Sequence, residues 1–112
     1  MRREGKVLFK GVEAGTVWQD ENGYGFEYNS AWLAKQNVQP VSLTLPVRAT
    51  PYLSNTMIAF FDGLIPEGWL LDIVVNNWKL SANDRMGLLL TACRDCIGAV
   101  SIEHIQPNQD AL

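Results

Sequence analysis

The stretch Asp20-Glu21-Asn22-Gly23 separates two runs of alternating polar and apolar residues, and it constrains the fold more than any other segment. Asn-Gly between such runs is the strongest short signal for a β-hairpin. Before it, Ala14 to Gln19 reads as a strand, with Thr16 and Trp18 alternating against Val17. After it, Tyr24, Phe26 and Tyr28 recur at period two, which lines one face of a strand with aromatics. Gly25 between them predicts a bulge. Lys6 to Lys10 supplies a further short apolar strand ahead of the hairpin.

The remaining segments add helices. Asn29 or Ser30 can cap a short helix over residues 31–36, which Asn37 ends. Val41-Ser42-Leu43-Thr44-Leu45 alternates and predicts a fourth strand, closed by Pro46, with 46–53 as a connection. Ser54 then suits an N-cap, and Met57, Phe60, Phe61 and Leu64 fall at the i, i+3, i+4, i+7 spacing of an amphipathic helix. Pro66 cannot continue that helix but fits the first turn of another, with Glu67 favourable at its N-terminus. A second helix is expected over 67–79, and a third from residue 83 or 84 to 93 with Met86, Leu89 and Leu90 inward. Gly98 to Ile105 reads as a last strand, and 106–112 as a loose polar tail. The expected architecture is therefore α+β in one domain over residues 1–105: a small, mostly antiparallel sheet or partial barrel with helices packed on one side.

Composition narrows the functional classes. The chain has 112 residues, 47% hydrophobic and 19% charged, enough to order one domain around its own core. Its net charge of -3 argues against direct nucleic-acid binding. The apolar run after the basic start, Val7-Leu8-Phe9, is too short for a signal peptide, so the cytoplasm is the expected compartment, without membrane association. No catalytic constellation is apparent. His104 is the single histidine, and Cys93 and Cys96 form one C-x2-C pair without a second pair to complete a zinc site. That pair sits at a helix end, whereas thiolate-stabilising pairs open helices. Asp62, Glu67, Asp72 and Asp84 read as caps or solvated acids. No enzyme activity, catalytic residue, metal or cofactor is expected.

Trp69 stands apart from this pattern. Leu71, Val74, Val75 and Trp78 form the inner stripe of helix 67–79, and Trp69 falls on the opposite side with Ile73 near it. Two readings follow: an exposed anchor for a partner, or an aromatic folded back over the Pro66 junction as core.

Several segments resemble one family. Gly15-Thr16-Val17, Tyr28-Asn29-Ser30-Ala31-Trp32-Leu33, Val41-Ser42-Leu43-Thr44-Leu45-Pro46, Phe60-Phe61-Asp62-Gly63-Leu64-Ile65-Pro66-Glu67-Gly68 and Asp95-Cys96-Ile97-Gly98-Ala99 occur in the order seen in the N-terminal subdomain of HipA-type serine/threonine kinase toxins. The FFDGLIPEG segment is the most specific. Gly63, Ile97 and Trp69 depart from the family pattern, which has Asn and Pro at the first two and no aromatic at the third. In HipA-type kinases this subdomain precedes a larger kinase core. As a free-standing unit the chain resembles HipS of three-part HipB–HipS–HipT systems. The resemblance implies an antitoxin-like protein that binds and inhibits a HipT-like kinase, in a ternary complex with a HipB-like DNA-binding protein. The alternative is a structural subunit that completes and activates the kinase. The expected contact region is Phe61, Asp62, Pro66, Glu67, Trp69 and Ile73, with Phe61 supporting it from the core.

Overall fold

The Asp20–Gly23 turn joins two strands of one open antiparallel sheet, and its tightness comes from the Asp20 side chain, whose Oδ1 accepts the Asn22 N–H at 2.9 Å. The computed structural model describes residues 2–65, 76, 84–92 and 99–105. The strands are β1 Arg3–Phe9, β2 Val12–Asp20, β3 Gly23–Tyr28, β4 Tyr52–Ser54 and β5 Val100–Ile105, ordered β4-β3-β2-β1-β5 with every neighbouring pair antiparallel. The helices are α1 Ser30–Leu33, α2 Ala59–Asp62 and α3 Arg85–Ala92. This is the expected α+β class, and the sheet is open rather than a partial barrel. No helix among the described residues is long and apolar enough to cross a membrane.

Strand alternation sorts the sheet into two faces. Val7, Val17, Phe26 and Ile102 are buried on the face that meets the helices, where Met86, Leu88 and Leu89 of α3 and Phe61 of α2 complete the core. Tyr24, Phe26 and Tyr28 share that face as their spacing predicts, and the Phe26 and Tyr28 rings meet edge to face at 4.9 Å. Trp18 takes the opposite face. It is only 6% exposed there because its indole lies across Gly25 of β3 and the Arg2 guanidinium covers it at 4.5 Å.

Gly25 is therefore a packing position and not the predicted bulge, for the β2–β3 register runs unbroken past it. The irregularity lies between β1 and β2, where Val7 pairs with Gly15 and Leu8 with Glu13, leaving Ala14 as the extra residue.

The predicted strand over residues 41–45 is not formed. The segment bends and turns, burying Val41 and Leu45 and leaving Leu43 93% exposed. The cause is the buried Tyr28 hydroxyl, which accepts the Val41 N–H at 3.0 Å and donates to the Leu45 carbonyl. With these backbone groups satisfied by a side chain, the segment has no need of a ladder. Burial of the phenol also pushes the Tyr28 pKa up, opposed in part by the Val41 N–H. The fourth strand instead falls at Tyr52–Ser54, across the end of the expected connection. Tyr52 is fixed by a hydrogen bond to the Pro46 carbonyl and by the Arg48 guanidinium 3.6 Å from its ring centroid.

Ser54 belongs to that strand and does not cap a helix; its Oγ accepts the Thr56 N–H at 3.3 Å.

An ion pair fixes the start of α3 to the sheet. Asp84 caps the helix through the Gly87 N–H at 3.2 Å and receives Arg3 through both oxygens, at 2.7 and 3.1 Å. Gln19 accepts from Arg3 and donates to the Tyr24 hydroxyl at 3.2 Å, so the network crosses three strands. The Arg3 hydrogen bond holds the Asp84 pKa below the ordinary carboxylate range, against a smaller opposing effect of burial. A carboxylate depressed by folding contributes stability above its unfolded pKa and loses it as pH falls through the folded value. The pair is a third exposed (37% and 33%), so its contribution at neutral pH is set at about 1 kcal/mol. Asp84→Asn keeps the cap and removes the charge. The variant is expected to be less stable than wild type at pH 7, the two converging below the depressed pKa in urea titrations run at each pH.

Candidate functional site

The segment carrying the family motif is built around Phe61. A single helical turn, α2, is closed by the Asp62 N–H on Ile58 O and the Gly63 N–H on Ala59 O, both at 3.0 Å. The chain then tightens to i→i+3 bonds, Leu64 N to Phe61 O at 3.0 Å and Ile65 N to Asp62 O at 3.2 Å. These bonds satisfy the last carbonyls of the turn directly ahead of Pro66, which has no N–H to offer.

Met57, Phe61 and Ile65 are the buried positions of this segment, while Phe60 and Leu64 are half-buried. The inward stripe is thus narrower than the predicted one. Phe61 is 0% exposed and packs against Phe26 at 5.2 Å and Phe60 at 5.2 Å. Any part it has in partner binding is that of a support beneath the surface.

Asp62 is half-buried and engaged within the chain. Its Oδ1 receives Arg85 Nε at 2.6 Å, which ties the end of α2 to the first residue of α3. An acid beside a helix N-terminus is electrostatically favourable, and here it also offsets the unfavourable cation at that helix's first position. Arg85 is the partner that the sequence did not reveal. The only sequence signal for the pair is opposite charge at helix ends, and that does not fix which ends meet.

Phe61 and Asp62 therefore sit on one turn, facing inward and sideways. Pro66, Glu67, Trp69 and Ile73, the rest of the expected contact region, lie outside the described residues, as do helix 67–79, Cys93, Cys96 and the tail 106–112. His104 is exposed on β5, and no group of three or more His, Cys, Asp or Glu positioned for a metal occurs among the described residues.

A second feature was not anticipated. Phe9 and Trp32 meet edge to face at 5.9 Å beneath a small cleft lined also by Lys10, Val12, Lys35 and Gln39. The two lysines are distant in sequence and line the same cleft, Lys10 from the β1–β2 turn and Lys35 from just beyond α1.

The open sheet and its helices are those of a known structural class. The solved structure described as the N-terminal domain of HipA toxin superposes with a TM-score of 0.72 at 27% identity, covering 94% of this chain and 94% of that one. The family model of the HipA N-terminal domain matches residues 5–103, and the chain belongs to that family. An uncharacterized protein of Haemophilus influenzae is 33% identical over 102 residues, 91% of this chain and 92% of that protein. The putative kinase Y4mE of Sinorhizobium fredii is 42% identical over 62 residues, 54% of this chain but 15% of the kinase.

Proposed function

We propose that this chain is an antitoxin-like binding protein, without catalysis of its own, that docks on a HipT-like serine/threonine kinase and inhibits it. Two observations carry this reading: the similarity to the HipA N-terminal domain extends over 94% of both chains, and the Haemophilus influenzae relative is aligned over 92% of its own length. A kinase lacking that domain would present the surface on which it normally lies, and a free-standing copy fits such a surface. A HipB-like DNA-binding protein completes the proposed assembly.

The proposed contact is the corner that follows α2, with Glu67, Trp69 and Ile73 on the surface, Pro66 setting the corner, Asp62 beside it and Phe61 beneath. By helical spacing Trp69 falls opposite the Leu71, Val74, Val75, Trp78 stripe. Insertion of its indole into the kinase cleft would obstruct phosphoryl transfer or hold an inactive conformation.

One observation favours a second reading. In Y4mE the similar segment is a small part of a protein described as a putative kinase. A free-standing copy could then complete and activate its partner instead of restraining it.

Autophosphorylation of the neighbouring HipT-like kinase, measured with this chain, with its Trp69→Ala form and with neither, separates the two. Inhibition by wild type, weakened at least about 30-fold by Trp69→Ala, is the expected result and corresponds to roughly 2 kcal/mol for a buried aromatic anchor. Activity that appears only when this chain is added means a completing subunit. A folded Trp69→Ala protein that inhibits as well as wild type rules out the anchor.

A further inference from the structure

We propose that the cleft between the β1–β2 turn and α1 is a docking site for an acidic protein segment, one apolar side chain seating on Phe9 and Trp32 between Lys10 and Lys35. The site is independent of the corner after α2 and of the kinase reading.

Four observations combine. The first is charge. In a chain of net charge -3, two lysines flank one aromatic pair, with Lys10 Nζ 5.6 Å from the Phe9 ring and Lys35 Nζ 5.0 Å from the Trp32 ring. Neither has an acidic partner among the described residues. Glu13 on β2 is already engaged, by Lys6 at 3.9 Å and by the Asn29 amide at 2.7 Å.

The second is rigidity. Lys10 is held in the left-handed region at φ 52, followed by Gly11 at φ 82, the two-residue turn that matches strand twist. Its N–H donates to the Ala99 carbonyl at 2.7 Å, which fixes the turn to the residue just ahead of β5. The Trp32 indole N–H donates to the Gln39 carbonyl at 2.9 Å, and the Lys35 N–H to the Trp32 carbonyl at 3.2 Å. The aromatic floor and the backbone that carries both cations are thus set before any partner arrives, which reduces the ordering cost of binding.

The third is size. The cleft holds about 210 Å³, below the roughly 300–1,000 Å³ of small-molecule sites. That suits one side chain of a protein segment. A nucleic-acid strand would instead call for a continuous basic groove tracking its backbone.

The fourth is position. Val12 beside the cleft is 45% exposed, an apolar rim residue at a turn otherwise polar. The cleft lies at the Phe9 end of β1, whereas Arg3, Asp84, Arg85 and Asp62 cluster at the other end. At about 3.3 Å per residue the two ends are separated by roughly 20 Å. A partner that contacts Asp62 leaves this cleft free for an acidic segment.

The test uses the full chain labelled with nitrogen-15 and a short peptide of sequence Glu-Asp-Phe-Asp-Glu, capped at both ends. The expected result is a saturable shift of the Trp32 indole resonance and of the Lys10, Val12 and Gln39 amides. That shift should weaken several-fold between about 50 and 500 mM salt, as partly exposed charge pairs do. Lys10→Glu with Lys35→Glu should lower affinity at least tenfold, and a Lys-Lys-Phe-Lys-Lys peptide should shift nothing. If the double variant does not give a folded spectrum, Lys35→Glu alone serves, with a several-fold loss expected. Absence of shifts at millimolar peptide, an undiminished response in the folded variant, or a larger response to an oligothymidylate than to the acidic peptide would overturn the proposal.

Discussion

Phe61→Ala is expected to remove about 3–5 kcal/mol of stability, the cost of emptying a fully buried aromatic site. Small domains have roughly 5–15 kcal/mol in total, so the variant should be marginal or unfolded at 37 °C. The ring is 0% exposed and touches Phe26 of β3, so its loss opens a cavity between α2 and β3. Phe60, half-buried on the same turn, gives the control: Phe60→Ala should cost clearly less, about 1–2 kcal/mol. Urea midpoints of the three proteins measure this directly. The comparison also protects the functional test. Loss of inhibition by Phe61→Ala would report an unfolded domain, whereas Trp69→Ala should lose inhibition with its urea midpoint unchanged. Equal, small losses for Phe61→Ala and Phe60→Ala would mean that Phe61 does not organise the core.

Where local pattern and tertiary demand agreed, the sequence was sufficient. Tyr24, Phe26 and Tyr28 at period two lie on one face because the partner strand and the core below ask for that alternation. Met86, Leu89 and Leu90 are buried as helical spacing predicts, and Leu88 joins them because α3 is covered on more than one side. Residues 41–45 misled because alternation is also satisfied by a turn that buries its ends and exposes its middle. What decides between them is the Tyr28 hydroxyl, and its partners are invisible in a local pattern.

The candidate site divides in the same way. The FFDG turn is legible as a motif, and Phe61 as its inward residue. That Asp62 meets Arg85, and that Lys10 meets Lys35 across an aromatic pair, depends on how distant elements are brought together. Periodicity carries no information about such meetings.

Two glycines in neighbouring strands make the second large effect a comparison. Without a clash, Gly to Ala inside a strand would stabilise by about 0.5–1 kcal/mol. At Gly15 a Cβ would be driven into the Glu27 carbonyl oxygen, 3.1 Å from the carbonyl carbon and 2.9 Å from Phe26 Cε1. Glu27 is backbone of the adjoining strand and Phe26 is core, so neither can move away without breaking the β2–β3 register. Gly15→Ala should therefore cost roughly 3 kcal/mol, the upper part of the range for overpacking.

At Gly25 the obstruction is the Trp18 indole, with Nε1 at 2.8 Å. That ring lies on the outer face under Arg2 and can swing outward. The loss is then its cover and its cation–π contact, about 1 kcal/mol. The two explanations separate in a double variant. Trp18→Ala removes the obstruction, so adding Gly25→Ala to it should be neutral or stabilising, giving a coupling near 1 kcal/mol. Trp18→Ala should not relieve Gly15→Ala at all, because nothing in the Gly15 clash belongs to the outer face. Denaturation midpoints showing equal penalties for Gly15→Ala and Gly25→Ala, or no rescue by Trp18→Ala, would contradict this assignment of the two faces.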